Sequence, residues 1–302
     1  MVLCNNPDRP FGSVIPAMVT PMTAEGVVNV ESTRTLAAWL VAQGCDGILV
    51  NGTTGESPTT HSAEKQELVA AVVEEVGATV PVIAGAGSND TAHASRMAAQ
   101  AAEAGADGVL IVTPYYSRPS QLGVERHIEA VAEAGGIPAM IYDVPARTGV
   151  RVQADTYHRL AQHPLIIATK DATGDIGAAA ALSESTGLAW YSGDDGMVLP
   201  FLAHGGVGVV SVVAQAVPAA FATMVRCWDA GDHAGALAAF RSTIPAISAV
   251  NGAGMQAVMA KAAVEALGKI PGRTVRGPLV TATDDEAAAV RAGLVAAGVL
   301  KG

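Results

Sequence analysis

Eight short apolar runs, separated by turn signals and helical patterns, constrain this chain more than any other feature. Val14–Val19 precedes Thr20-Pro21, Gly47–Val50 precedes Asn51-Gly52, Val82–Ala84 precedes Gly85, and Val109–Val112 precedes Thr113-Pro114. The other four are Ala139–Tyr142, Ile166–Lys170, Leu188–Ser192 and Val207–Val212. They are apolar throughout rather than alternating, as parallel strands covered on both faces are. Helical stripes lie between them. Leu36, Trp39 and Leu40 share a face before Gly44. Leu68, Val69, Val72, Val73 and Val76 share another, with Ser62 as the expected N-cap and Gly77 as the stop. Met97, Ala98, Ala101 and Ala102 precede Gly105. The segment 43–50 (QGCDGILV) is echoed at 104–111 (AGADGVLI), so a strand–helix unit recurs. Strands alternating with helices predict an α/β protein, a (β/α)8 TIM barrel in preference to a doubly wound sheet, although the runs alone leave the open sheet as an alternative.

After about Val217 the strands stop. Pro218–Ala230, His233–Val250, Gly254–Leu267 and Asp284–Leu300 read as helices, the last opened by the capping box Thr283-Asp284-Asp285-Glu286. The expected organisation is a barrel over 1–230 that carries the site. A C-terminal helical extension over 231–302 packs on it without being independent, since no linker-like stretch divides the two.

Composition narrows the functional classes. The 302 residues are 50% hydrophobic but only 4% aromatic, so the core must be built of Ala, Val, Leu and Ile. A formal charge of −10 argues against nucleic acid and anionic membranes as partners. Cys4, Cys45 and Cys227 are widely spaced, with no CxxC pair, and Met1–Pro10 lacks a signal-peptide core, so a reducing cytoplasm is expected. Gly196–Val225 is nearly uncharged, but Pro200, Gly205, Gly206, Gly208 and Pro218 interrupt it, which fits a buried strand between helices better than a membrane span.

Of five lysines (Lys65, Lys170, Lys261, Lys269, Lys301), Lys170 alone ends an apolar strand. Burial disfavours an ammonium, so such an amine can be neutral and nucleophilic near pH 7. The alternative is a lysine at the barrel mouth paired with Asp171 or Asp175. Other polar groups cluster at strand ends, where barrel enzymes hold their sites. Asn51–Ser57 carries two hydroxyls flanked by glycines, and Thr113–Ser117 carries two tyrosines. Tyr142 ends the fifth strand, and Arg147 follows in a loop where it can grip a carboxylate by two parallel hydrogen bonds. Ser192–Asp195 ends the seventh strand. Caps, loop packing and local ion pairs explain each segment singly. No Walker A loop, strand-borne GxGxxG, HExxH or GxSxG is present, and His158 and His163 read as a helix end and a loop rather than metal ligands. No metal and no cofactor are expected.

Taken together, Gly52-Thr53-Thr54-Gly55-Glu56, Thr113-Pro114-Tyr115-Tyr116, Tyr142–Gly149, Lys170–Gly174 and Ser192–Asp195 resemble the dihydrodipicolinate synthase family in order and spacing, from about Gly12 to the C-terminus. That family belongs to the pyruvate-dependent superfamily that includes N-acetylneuraminate lyase. Thr53-Thr54 and Arg147 point to the synthase branch. The resemblance implies a Schiff base between Lys170 and pyruvate, condensation with L-aspartate 4-semialdehyde, and a place in diaminopimelate and lysine biosynthesis. It implies a proton relay of Tyr142, Thr53 and Tyr116, with Tyr116 reaching a neighbouring subunit's site in a dimer, usually paired into a tetramer. Thr54 would bind the pyruvate carboxylate, Arg147 the second substrate's carboxylate, and Gly193 and the Val210 carbonyl would line the site. An effector cleft would contain Ser57, Ser62, Lys65, Asn89, His93 and Tyr115. Here the sequence departs from lysine-sensitive bacterial members, which often have histidines at the Ser62 and Lys65 positions and a glutamate at that of His93, so weak or absent lysine inhibition is expected. Alternatives are a pyruvate-dependent aldolase acting on a keto-deoxy sugar acid, and a non-catalytic binding barrel. The latter has no need of Lys170, Tyr142, Thr53 and Tyr116 together.

Overall fold

The computed structural model describes residues 8–252 and 254–301. Cys4 lies outside the described residues. The eight apolar runs form eight parallel strands: β1 (Val14–Pro16), β2 (Ile48–Val50), β3 (Val82–Gly85), β4 (Gly108–Val112), β5 (Ala139–Asp143), β6 (Ile166–Asp171), β7 (Ala189–Ser192) and β8 (Gly208–Ser211). Each pairs with its sequence neighbour from β2 to β8, and β8 returns to β1. The Ala17–Leu49 bridge and the Met18 N–H donating to the Leu49 carbonyl at 3.0 Å close the ring between β1 and β2. The result is a (β/α)8 barrel, not an open sheet.

The helices are α1 (Val30–Ala42), α2 (Ser62–Val76), α3 (Thr91–Glu103), α4 (Gln121–Gly135), α5 (Pro145–Thr148), α6 (Ala154–Leu160), α7 (Ile176–Thr186), α8 (Val198–Ala203), α9 (Pro218–Asp229), α10 (His233–Gly252), α11 (Gln256–Ala266) and α12 (Asp284–Ala296). Ser62 is the first residue of α2 rather than its cap. His61 occupies the cap position, and its N–H donates to Glu64 Oε2 at 2.8 Å. Thr283 and Glu286 form the expected capping box of α12. The uncharged stretch 196–225 folds into a short turn, α8, β8 and the start of α9, and no helix among the described residues is long and apolar enough to cross a membrane.

Alternation along the strands sorts side chains into two layers. Ile15, Leu49, Ile83, Leu110, Met140 and Tyr191 fill the barrel interior. Ala139, Ile141, Ile166 and Trp190 face the helices. A third apolar cluster joins Val14, Leu36 and Phe221 to Val258, Met259, Val290 and Leu294, so α9 to α12 share one core with the first quarter of the barrel.

Candidate active site

Lys170 owes its direction to one irregularity. Ile166 faces the helices, and strict alternation would turn Lys170 the same way. Between β5 and β6, however, Ala139 pairs with Ile166 while Met140 pairs with Ala168, so Ile167 is an extra residue. A one-residue slip exchanges the faces of everything beyond it. Lys170 therefore enters the barrel interior opposite Tyr142, with Nζ 4.3 Å from the centre of the Tyr142 ring.

The Lys170 amine is 5% exposed and has no carboxylate within salt-bridge distance among the described residues. Asp171 faces the other way: Oδ1 accepts from the Thr173 N–H at 2.7 Å and Oδ2 from Trp190 Nε1 at 3.0 Å. Asp175 pairs with Arg151 at 3.1 Å. Burial lowers the Lys170 pKa to about 8, against the opposing pull of Asp195 and with a smaller push from Arg147. Tyr142 is driven the other way, to about 12, by burial. At neutral pH it is a protonated phenol beside an amine that loses its proton easily, a pair suited to imine chemistry and proton transfer.

The loop after β2 brings Thr53 and Thr54 to the same point. Both line a narrow pocket with Tyr142, Arg147, Lys170, Gly193, Val212, Met255 and Gln256. Gly85 lets this loop cross β3 closely, since a Cβ there would fall 2.2 Å from the Asn51 carbonyl oxygen. Gly193 carries no side chain where a Cβ would meet the Asp171 carbonyl oxygen at 3.0 Å. The Val210 side chain is wholly buried among the inner-barrel side chains, and Val212 lines the pocket.

Thr53 and Tyr142 also line an adjoining cavity of roughly 390 Å³ with Tyr115, Tyr116, Val144, Arg147 and Thr148. Tyr116 is held at φ 71° and is 90% exposed, both unusual for a large aromatic residue. Among the described residues no direct hydrogen bond joins Thr53, Tyr142 and Tyr116; they share the wall of one cavity. Arg147 sits on α5, opened by Pro145 and closed by Gly149 at φ 73°. Its Nη2 donates to Gln256 Oε1 at 2.6 Å, and Nη1 lies 4.0 Å from the Met255 sulfur.

A second cavity, about 290 Å³, abuts the first. Ser57, Ser62, Lys65, His93 and Tyr115 line it, together with Ser88 and His61. Asn89 is exposed beside it and does not line it. Lys65 is buried in its wall, Nζ donating to the Ser57 carbonyl at 2.7 Å and to the Thr60 carbonyl, and burial lowers its pKa to about 8. Among the described residues no Asp or Glu lines this cavity.

Several residues that shape the site escaped the sequence reading. Glu56 and Lys261 form an ion pair with both side chains fully buried. Glu56 Oε2 accepts the Arg276 N–H at 2.9 Å, and Lys261 Nζ donates to the Thr274 carbonyl at 2.7 Å. The loop carrying Thr53 and Thr54 is thus tied to α11. The available signal was a lone lysine in the apolar run Ala257–Val264. Asp195, Asn251 and Gln256 carry no comparable signal in the sequence, and hydrogen bonds join them here. Among the described residues no cluster of three or more His, Cys, Asp or Glu side chains is arranged to hold a metal ion.

Residues 10–297 match the model of the dihydrodipicolinate synthetase family. The 4-hydroxy-tetrahydrodipicolinate synthase of Bifidobacterium animalis subsp. lactis is 53% identical over 291 residues, covering 96% of this chain and 95% of that protein. The 4-hydroxy-tetrahydrodipicolinate synthase 2 of Streptomyces coelicolor is 46% identical over 299 residues, covering 99% of both. Among solved structures, the enzyme from Cyanidioschyzon merolae with lysine bound superposes with TM-score 0.92 at 38% identity, over 96% of this chain and 99% of that one. The chloride-inhibited dihydrodipicolinate synthase of Acinetobacter baumannii complexed with pyruvate gives TM-score 0.91 at 33% identity, over 96% and 100%. The likeness spans barrel and C-terminal helices alike, and the chain belongs to the dihydrodipicolinate synthetase family.

Proposed function

We propose that this protein condenses pyruvate with L-aspartate 4-semialdehyde to 4-hydroxy-tetrahydrodipicolinate, the step that commits carbon to diaminopimelate and lysine. The observation that carries the reading is the buried, unpaired Lys170 amine against the Tyr142 ring, in a pocket shared with Thr53, Thr54 and Arg147. Neutral Lys170 Nζ attacks C2 of pyruvate, and the carbinolamine loses water to give an iminium. The iminium accepts the electron pair left when a methyl proton departs, and an enamine forms. Its nucleophilic carbon bonds to the aldehyde carbon of the second substrate, whose oxygen takes up a proton. The substrate's own amine then adds to C2 and displaces Lys170, which closes the ring and regenerates the catalyst.

Tyr142 is the general acid/base, with Thr53 linking it to Tyr116, and such catalysis contributes about 10²–10⁴-fold. Thr54 holds the pyruvate carboxylate, beside Gly193 and the backbone near Val210. Arg147 takes the carboxylate of the semialdehyde by paired hydrogen bonds. No metal or cofactor takes part. Tyr116, exposed and in a strained conformation, reaches into a partner's site, so the protein works as a homo-oligomer, a dimer paired into a tetramer, in the cytoplasm. Residues 231–302 fold only with the barrel of 1–230. Incubation with both substrates, followed by absorbance of the dipicolinate-type product, tests the reading. Borohydride trapping of pyruvate on Lys170 without turnover would redirect the search to sugar-derived aldehydes.

Lysine inhibits this enzyme weakly or not at all. The cavity holding Ser57, Ser62, Lys65, His93 and Tyr115 offers an ammonium group no lining carboxylate and places a second cation in its wall. Half-inhibition at low millimolar lysine would refute this.

A further inference from the structure

Arg147 is exposed and carries a long, flexible side chain, yet the proposed chemistry needs its guanidinium at one place. No carboxylate holds it: among the described residues Arg147 forms no ion pair. Besides its hydrogen bond with the Tyr142 hydroxyl, what holds it is an amide. Gln256 Oε1, at the start of α11, accepts from Arg147 Nη2 at 2.6 Å. Gln256 Nε2 donates to Asn251 Oδ1 at 3.1 Å, and Asn251 Nδ2, in the last turn of α10, donates to Asp195 Oδ2 at 2.9 Å.

The direction of this chain is fixed from its buried end. Asp195 is 2% exposed. Its Oδ1 accepts from Ser211 Oγ and from the Val213 N–H at 3.2 Å. Ser211 Oγ itself accepts from the Ala214 N–H at 2.6 Å, so its hydroxyl hydrogen is committed to Asp195. A carboxylate accepts only, so Asn251 must present its NH₂ to Asp195 and its oxygen outward. Gln256 must then turn its NH₂ to Asn251 and its oxygen to Arg147. Reversing either amide would set oxygen against oxygen. The guanidinium is thereby positioned by a neutral acceptor and keeps its full charge for an incoming anion.

We propose that Asn251 and Gln256 are positioning residues for Arg147, a two-amide link from the buried Asp195 carboxylate that sets the guanidinium for the carboxylate of the second substrate. The C-terminal helices thus contribute to substrate selection as well as to packing. The inference rests on the reading of Arg147 given above. It differs from a general structural role because the pyruvate half-reaction at Lys170 needs neither amide.

The test uses full-length Gln256→Ala, Gln256→Glu and Asn251→Ala. Losing a hydrogen bond to a charged group predicts about a tenfold rise in KM for L-aspartate 4-semialdehyde in Gln256→Ala. KM for pyruvate and the yield of borohydride-trapped pyruvate stay at wild-type values, which also reports correct folding. Gln256→Glu is worse, because a carboxylate there neutralises the guanidinium it holds. In an Arg147→Ala background, Gln256→Ala adds nothing. Equal rises in both KM values, or a full additional penalty on top of Arg147→Ala, would overturn the proposal. A crystal structure of Gln256→Ala decides the point without reference to the aldehyde: the Arg147 guanidinium leaves its place, and if it stays, the amides do not position it. Wild-type protein that traps pyruvate but ignores the semialdehyde would instead reject the second substrate.

Discussion

Two lysines are buried about equally in this molecule and are put to opposite uses. Lys170 is 5% exposed and Lys261 is fully buried, and burial lowers the pKa of both. The difference is the company each keeps. Lys261 faces Glu56 and the Thr274 carbonyl, and its charge is answered on the spot. Lys170 faces the ring of Tyr142 and an open pocket. Desolvation without a partner makes an amine reactive; desolvation with a partner makes a rivet. The barrel mouth contains both because the rivet holds the loop of Thr53 and Thr54 against the pocket of the reactive amine.

The contrast breaks most visibly by removing each lysine in turn. Lys170→Ala is expected to lower kcat at least about a thousandfold, since no other group can carry the imine. Its thermal midpoint should not fall, because an unpaired buried amine is itself a stability cost. Lys261→Met should act first on stability. Leaving Glu56 buried and unpaired costs about 3–5 kcal/mol, read from urea unfolding. Adding Glu56→Gln should recover part of that loss, because the stranded charge goes with it. Catalytic loss without destabilisation at 261, or destabilisation at 170, would collapse the distinction.

The barrel was legible because its eight strands are uninterrupted apolar runs, and each run became a strand within a residue or two at most positions. Tertiary closure was inferable only from repetition. Lys170 was legible as the one lysine ending such a run, but its direction was not. It depends on the extra residue Ile167, and a bulge leaves no mark on a stretch of Ile, Ile and Ala. The Glu56–Lys261 pair and the Asp195–Asn251–Gln256 chain were illegible for a different reason. Their members are 205, 56 and 5 residues apart, and only the packing of α10 and α11 on the mouth brings them together.

A subtler way to sharpen the comparison is to titrate the reactive amine. Only neutral Lys170 attacks a ketone, so the rate of borohydride-trapped imine formation should rise with pH and level off above about 8. Asp195 favours the ammonium form from a distance. Asp195→Asn should therefore move the midpoint lower. A midpoint near that of an ordinary lysine would mean that burial does not tune this amine.

A separate test lies one residue from Tyr142, on the far side of the strand. Asp143 is fully buried, its Oδ2 accepting from the Val152 N–H at 3.1 Å and from the Tyr157 hydroxyl at 3.3 Å, while Oδ1 has no hydrogen-bond partner among the described residues. Burial raises its pKa to about 7, with Asp171 across the strand pair adding to the rise. The folded protein therefore holds a proton that the unfolded chain has lost between about pH 4 and 7. The stability that this carboxyl contributes is present at the acidic end of that window and lost as pH rises through it. One proton bounds the slope at about 1.4 kcal/mol per pH unit. Asp143→Asn should flatten this part of the stability profile, measured by urea unfolding from pH 4 to 8, and leave the trapping midpoint of Lys170 in place. If the slope survives the substitution, another group carries it. If the trapping midpoint moves as well, the two faces of β5 are electrostatically coupled, and the tuning of Lys170 is not confined to the pocket.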